Sequence, residues 1–199
     1  MCNTIYGIAA AGNHPDIKPT KLIILFLQTT INFVFSFLWT NFAVMDKTAT
    51  YRLLVKQVES LIEGENNPTG QLANAAAMIH ETFGFWWTGF YLVGGEMLQL
   101  GPFQGPVACY NIKLGRGVCG TAWQHDRTIV VPDVEQFPGH IACSSQSRSE
   151  IVVPLHGADG QVVGVLDIDS KELATFDEVD ALWLEQIARV IERHALKNM

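Results

Sequence analysis

Apolar and polar positions change their period along the chain, and the changes mark out the elements. Leu54, Val58 and Leu61 recur at i, i+4 and i+7, which predicts an amphipathic helix over residues 47–63. The run GENNPTG interrupts it. A second helix is predicted from Gln71 to Phe83, burying Leu72, Ala75, Ala76 and Ile79 and ending at Gly84. From there the period shortens. FWWTGFYLV (85–93) is aromatic and β-branched, Gly94 and Gly95 supply a turn, and MLQLGPF reads as the partner strand. PVACYNIKL (106–114) alternates as a third strand, and GRGVCGTAWQHD combines turn glycines with a short helical stretch. TIVVP is a short strand, residues 132–149 are a long polar loop, and EIVVPLH pairs with QVVGVLDID across GADG. Thr175 and Glu178 have the spacing of a capping box for a last helix, with Val179, Trp183 and Val190 facing the sheet. The order is that of an α+β domain, a central antiparallel sheet flanked by helices.

The first 44 residues do not share this pattern. The uncharged stretch between Lys21 and Asp46 is long enough for a membrane helix, and Lys18 and Lys21 precede it. Its polar residues, among them Gln28, Asn32 and Asn41, make it a mediocre one, whereas MDKTATYRLLVKQVESLIEGE opens like the start of a complete domain. We therefore read residues 1–44 as an apolar N-terminal extension from an extended start, and residues 45–199 as the domain. The competing reading is a signal anchor through residues 22–44, which would tether the domain to a membrane.

Composition narrows the chemistry. A net charge of -7 on 199 residues, with no basic face or run of like charges, disfavours a nucleic-acid partner. The four cysteines, Cys2, Cys109, Cys119 and Cys143, form no CxxC pair. Cys143 lies in the long loop with His140, Ser144, Ser145 and Arg148, and a loop of that length in a compact domain is usually a lid or binding loop. Cys109 on an alternating strand reads equally as a small buried hydrophobe, and Cys119 in its Gly-rich turn as a packing residue. Taken together, one loop thiol and two further thiols make a nucleophile with resolving partners. With His125 and His140 the cysteines include zinc-ligand types, but the spacings are long and irregular, so no metal is expected.

Glu150 begins one strand of the final hairpin, and Asp167 and Asp169 end the other, i and i+2 on one sheet face. These acids read either as solvated strand ends or as partners of a bound ammonium group. Trp86, Trp87, Phe90 and Tyr91 read mainly as core aromatics, with one indole available to wall a pocket.

The segments WTGFYLV, GPFQGPVAC, GRGVCGTAW, VVPDVEQFPGHIACSSQSRSEIVVPL and GVLDIDS closely resemble the free methionine-R-sulfoxide reductases, enzymes built on a GAF domain. The resemblance covers essentially all of residues 46–199 and nothing of residues 1–44. It implies Cys143 as nucleophile, Cys109 as principal resolving cysteine and Cys119 as an alternative one. It also implies Glu150, Asp167 and Asp169 around the substrate, with Trp87 as the pocket tryptophan. Trp86 stands where a polar residue is common, which leaves the choice between the indoles open. The implied reaction reduces free methionine-R-sulfoxide in the cytoplasm with thioredoxin as reductant and without a cofactor, and it admits a homodimer. The rival reading is a non-catalytic GAF sensor of a small molecule, which would not need the three cysteines.

Overall fold

The computed structural model describes residues 47–139 and 145–197. All belong to the second of the two units into which the chain divides, Val44–Met199. The apolar stretch 22–44, the start at Met45, and His140 and Cys143 lie outside the described residues. No helix among the described residues is long and apolar enough to cross a membrane.

Helix α1 covers residues 47–62 and α2 runs Pro68–Phe83. The strands β1 (Trp87–Gly94), β2 (Met97–Gln104) and β3 (Asn111–Lys113) follow. Helix α3 (Gly117–His125), β4 (Ile129–Val131) and one 3-10 turn (Val134–Gln136) come next. The chain closes with β5 (Ser149–His156), β6 (Val162–Ser170) and α4 (Glu178–His194). The strands form a six-stranded sheet in the order β3-β2-β1-β6-β5-β4, every neighbouring pair antiparallel. This is the α+β architecture expected from the sequence.

Strand periodicity of two sends alternate side chains to opposite faces. Phe90, Ile151, Val153, Leu155, Leu166 and Ile168 point to the face covered by α1, α2 and α4. Trp87, Tyr91, Val152 and Val165 point to the other, where they meet Val118, Cys119 and Ala122 of α3.

Several local expectations are corrected. Helix α2 starts at Pro68 rather than Gln71, because Asn67 caps it, accepting from the Gly70 N–H at 3.1 Å, and proline is at home in a first turn. Its expected core residues Leu72, Ala75, Ala76 and Ile79 are all buried, and it ends at Gly84 in the left-handed region (φ 66°). In α1 the buried set is Tyr51, Leu54, Val58 and Ile62, while Leu61 is 38% exposed. The third strand begins only at Asn111: Pro106 has no N–H to offer, and Val107 and Tyr110 are largely exposed, so the alternation there does not sort two faces. Asp177, not Thr175, caps α4, and its capping box uses Asp180 rather than Glu178. Thr175 instead donates to Ser170 Oγ at 2.8 Å. The buried stripe of α4 is Asp180, Leu184, Ile187, Ala188, Val190 and Ile191, with Val179 and Trp183 at its margin.

Asp180 is buried yet satisfied. It accepts from Tyr51 Oη at 2.7 Å, pairs with Lys47 and receives the Asp177 N–H at 2.8 Å. This network ties α1 to the start of α4.

Candidate active site

The register of the three central strands builds the site. Trp87 pairs with Asp169, and Asp169 with Glu150, so an indole and two carboxylates sit abreast on β1, β6 and β5. One step along, Gly89 pairs with Asp167 and Asp167 with Val152. All these residues face α3. Trp87 holds its place by donating from Nε1 to the Pro106 carbonyl at 3.1 Å and by stacking on Phe103 and Tyr91, with centroids 5.4 and 5.9 Å away. A Cβ on Gly89 would collide with the Trp87 ring and with Phe103, so the indole lies flat only over a glycine.

Between this surface and α3 is a cavity of about 530 Å³, its open mouth included. Trp87, Tyr91, Cys119, Glu150, Asp167 and Asp169 line it. Trp86 does not belong to this lining; Lys171 Nζ stands 3.4 Å from the centre of its ring. The indole that lines this cavity is Trp87.

Glu150 and Asp167 are not solvated strand ends, and Asp169 beside them is half-buried. Glu150 and Asp167 are each 6% exposed, and no salt bridge reaches them or Asp169 among the described residues. Burial holds Glu150 well above the usual carboxylate range, with the charges of Asp167 and Asp169 adding to it. Asp167 is raised in the same way, by burial and then by Asp169. Asp169 is pushed up to about 6 by burial, against a hydrogen bond from Ser147 that favours its ionised form. Cys119 Sγ lies 3.8 Å from Glu150 Oε1, and burial, followed by the charges of Asp167 and Glu150, raises its thiol well above the ordinary value. In this surrounding Cys119 favours the neutral thiol and Glu150 and Asp167 favour their protonated forms, while Asp169 gives up its proton more readily than either. A ligand bearing a positive charge would reverse that balance.

The remaining sequence candidates are placed differently. Cys109 is half-buried against the second core cluster, beside the lining residues Val107 and Ala108, and is disulfide-bonded. Arg148 Nε is buried and has no hydrogen-bond partner among the described residues. His125 is exposed at the end of α3, away from the lining.

The sequence reading passed over Arg116, Gly117 and Val118 at the start of α3, which also line the cavity. Arg116 occupies the N-cap position without a side-chain cap, so the first backbone N–H groups of α3 are available to an anion. The Gly-rich turn before a short helix was the available signal. Ser147, which also lines the cavity, carried none.

Comparison with known proteins gives this arrangement a setting. A family model described as the GAF domain matches residues 67–194. The chain is 43% identical to the free methionine-R-sulfoxide reductase of Escherichia coli, across 75% of this chain and 90% of that one. The chain belongs to the GAF-domain free methionine-R-sulfoxide reductase family. At 55% identity it also resembles GAF domain-containing protein A of Dictyostelium discoideum, covering 73% of this chain and 92% of that one. Among solved structures it is similar to the free methionine-R-sulfoxide reductase of Neisseria meningitidis in complex with its substrate. That similarity has 53% identity and a TM-score of 0.73, covering 75% of this chain and 90% of that chain. As a member of this reductase family the chain is an oxidoreductase.

Proposed function

We propose that this protein reduces free L-methionine-R-sulfoxide to methionine, with Cys143 as nucleophile and thioredoxin as the final reductant. The observation that carries the reading is the cavity in which Glu150, Asp167 and Asp169 converge beside Trp87 without a partner cation among the described residues. A free amino acid supplies what such a cavity needs: its ammonium group neutralises the acids, and its carboxylate suits the N-terminus of α3. A peptide-bonded methionine sulfoxide has neither charge, which explains selectivity for the free form. Trp87 and Tyr91 offer the apolar wall for the methyl and side-chain carbons.

The chemistry balances without a metal or organic cofactor. The Cys143 thiolate attacks the sulfoxide sulfur while a protonated carboxylic acid of the trio gives its proton to the oxygen. The hydroxyl passes from the substrate sulfur to Cys143 Sγ as the S–O bond and the transient S–S bond break, so methionine leaves and Cys143 is a sulfenic acid. Cys109 attacks that sulfur, a disulfide forms and water departs; Cys119 is the alternative resolving thiol. Reduced thioredoxin then exchanges its dithiol for the disulfide. The disulfide-bonded state of Cys109 supports its resolving role, and a cytoplasmic location would supply the thioredoxin that keeps thiols reduced.

The test is a thioredoxin-coupled assay on the separated R and S forms of free methionine sulfoxide. Turnover of the R form alone is expected, abolished by Cys143→Ser with substrate binding retained. Turnover of neither form, or full turnover by Cys143→Ser, overturns the proposal. A non-catalytic sensor would bind the ligand and consume no reductant.

A further inference from the structure

The buried chemistry of the cavity is not exhausted by an ammonium group. One potential ligand atom from each of Cys119, Glu150 and Asp167 lies within 4.8 Å of the other two. The three residues are 4%, 6% and 6% exposed and come from α3, β5 and β6. Asp167 carries a further sign of an absent partner: its Oδ1 is buried and accepts no hydrogen bond among the described residues. We infer that Cys119, Glu150 and Asp167 form an inhibitory site for a thiophilic divalent cation of the zinc class.

The geometry agrees with this chemistry. Zn–S of about 2.3 Å and Zn–O of about 2.0 Å at a tetrahedral angle separate the two ligand atoms by about 3.5 Å. Cys119 Sγ donates to Glu150 Oε1 at 3.8 Å, near the spacing of two ligands on one ion, so a cation between them would take the place of that proton. Glu150 and Asp167 are held by the β5–β6 ladder, and Cys119 by α3, whose Gly120 carbonyl accepts from the Gly115 N–H at 2.8 Å. Asp169 lines the same cavity and can supply the fourth position, or water can.

Donor type sets the selectivity. One thiolate with two carboxylates favours zinc over magnesium or calcium, which prefer larger all-oxygen shells. Three anionic donors also neutralise a dication better than they do one ammonium group. Binding is plain coordination: the Cys119 proton and any carboxyl protons pass to solvent, the metal–ligand bonds form, and nothing is oxidised. This donor set is distinct from the cysteine–histidine set that the sequence spacing disfavoured, in which Cys109 is disulfide-bonded and His125 is exposed. That such an ion inhibits rests on the proposed function, because it takes the carboxylates assigned to the substrate ammonium.

The experiment titrates the full chain, free of chelating reductants, with cobalt(II) as an optical probe and zinc(II) in a calorimeter. One ion should bind per chain with a near-ultraviolet thiolate-to-cobalt band and a proton release that depends on pH. Cys119→Ser should lose the band while its far-ultraviolet circular dichroism stays unchanged, and the double variant Cys109→Ser/Cys143→Ser should keep it. Glu150→Gln and Asp167→Asn should each weaken zinc at least ~10-fold, since direct ligands matter no less than the outer-shell groups whose loss costs about 10–100-fold. A band that survives Cys119→Ser, a band lost in the double variant, or no binding to wild type overturns the site. Inhibition of turnover by zinc should yield to excess sulfoxide, and inhibition that does not yield overturns the competition. A cobalt band in a protein without reductase activity sinks only the proposed function; activity without the band sinks only the metal site.

Discussion

On one face of the sheet, β1, β5 and β6 meet three helices through an almost purely apolar contact; on the other, the same strands meet one short helix and a cavity. Adjacent residues of a single strand serve both: Ile151 packs in the helical core while Glu150 faces the cavity, and Leu166 and Ile168 flank Asp167. The helical face therefore bears the stability that allows the other to bury Glu150, Asp167 and the Cys119 thiol beside a half-buried Asp169. Burying polar groups without full pairing is unfavourable; on the helical side the unpaired groups are uncharged ones such as Gln71 Oε1 and Thr88 Oγ1, whereas on the cavity side they include a carboxyl, Asp167.

The largest effect should come from the apolar face. Leu166→Ala removes a fully buried side chain and should cost about 2–5 kcal/mol of unfolding free energy in denaturant melts. Activity per folded molecule should fall little. A loss of specific activity as deep as the loss of stability would break the division between the faces.

The cavity face should respond in the opposite direction. The folded-state carboxyl of Asp169 titrates at about 6, above its unfolded value. Its favourable contribution is complete below the unfolded value and is lost as pH rises through about 6. Asp169→Asn should therefore match wild type near pH 4 and exceed it by on the order of 2 kcal/mol at pH 8, by the linkage of pKa to stability. The same variant should lose most of its kcat/KM. Equal melting curves at pH 8 would show that this acid is not a stability burden.

The smallest effect tests a polar group on the helical side. Tyr51→Phe deletes the hydroxyl that donates to Asp180 but leaves Lys47 and the Asp177 N–H on that carboxylate. A loss of about 1 kcal/mol is expected, in keeping with one replaceable hydrogen bond. A loss of several kcal/mol would mean that Asp180 depends on Tyr51 alone.

What the sequence made legible follows from how local each signal is. The α2 core, the two hairpins and the shared face of Asp167 and Asp169 rest on spacing within one segment, and the structure has them. The strand drawn through PVACYNIKL misled because alternation was read as burial where Val107 and Tyr110 are exposed, and Pro106 has no N–H to pair. Asp180 was hidden because an acid in a helix's first turn normally faces water, and only Tyr51 and Lys47 from a distant segment make it a core residue. Likewise the choice of Trp87 over Trp86 depends on the β1–β6 register, which no local window contains. The carboxylates were visible as residues, but their burial was not.

The sheet's outline has a consequence for how the protein behaves in a crowded solution. Its most apolar strands, with IVVPL and VVGVL, would offer unpaired backbone to other chains if they stood at an edge. They occupy the middle instead, and the outermost strands, β3 and β4, are three residues each. Such short borders offer an incoming chain little backbone to pair with. β4 covers only Glu150–Val152 of β5, and beyond it Pro154 has no N–H to offer an incoming strand, so sequence as well as strand order blunts this border.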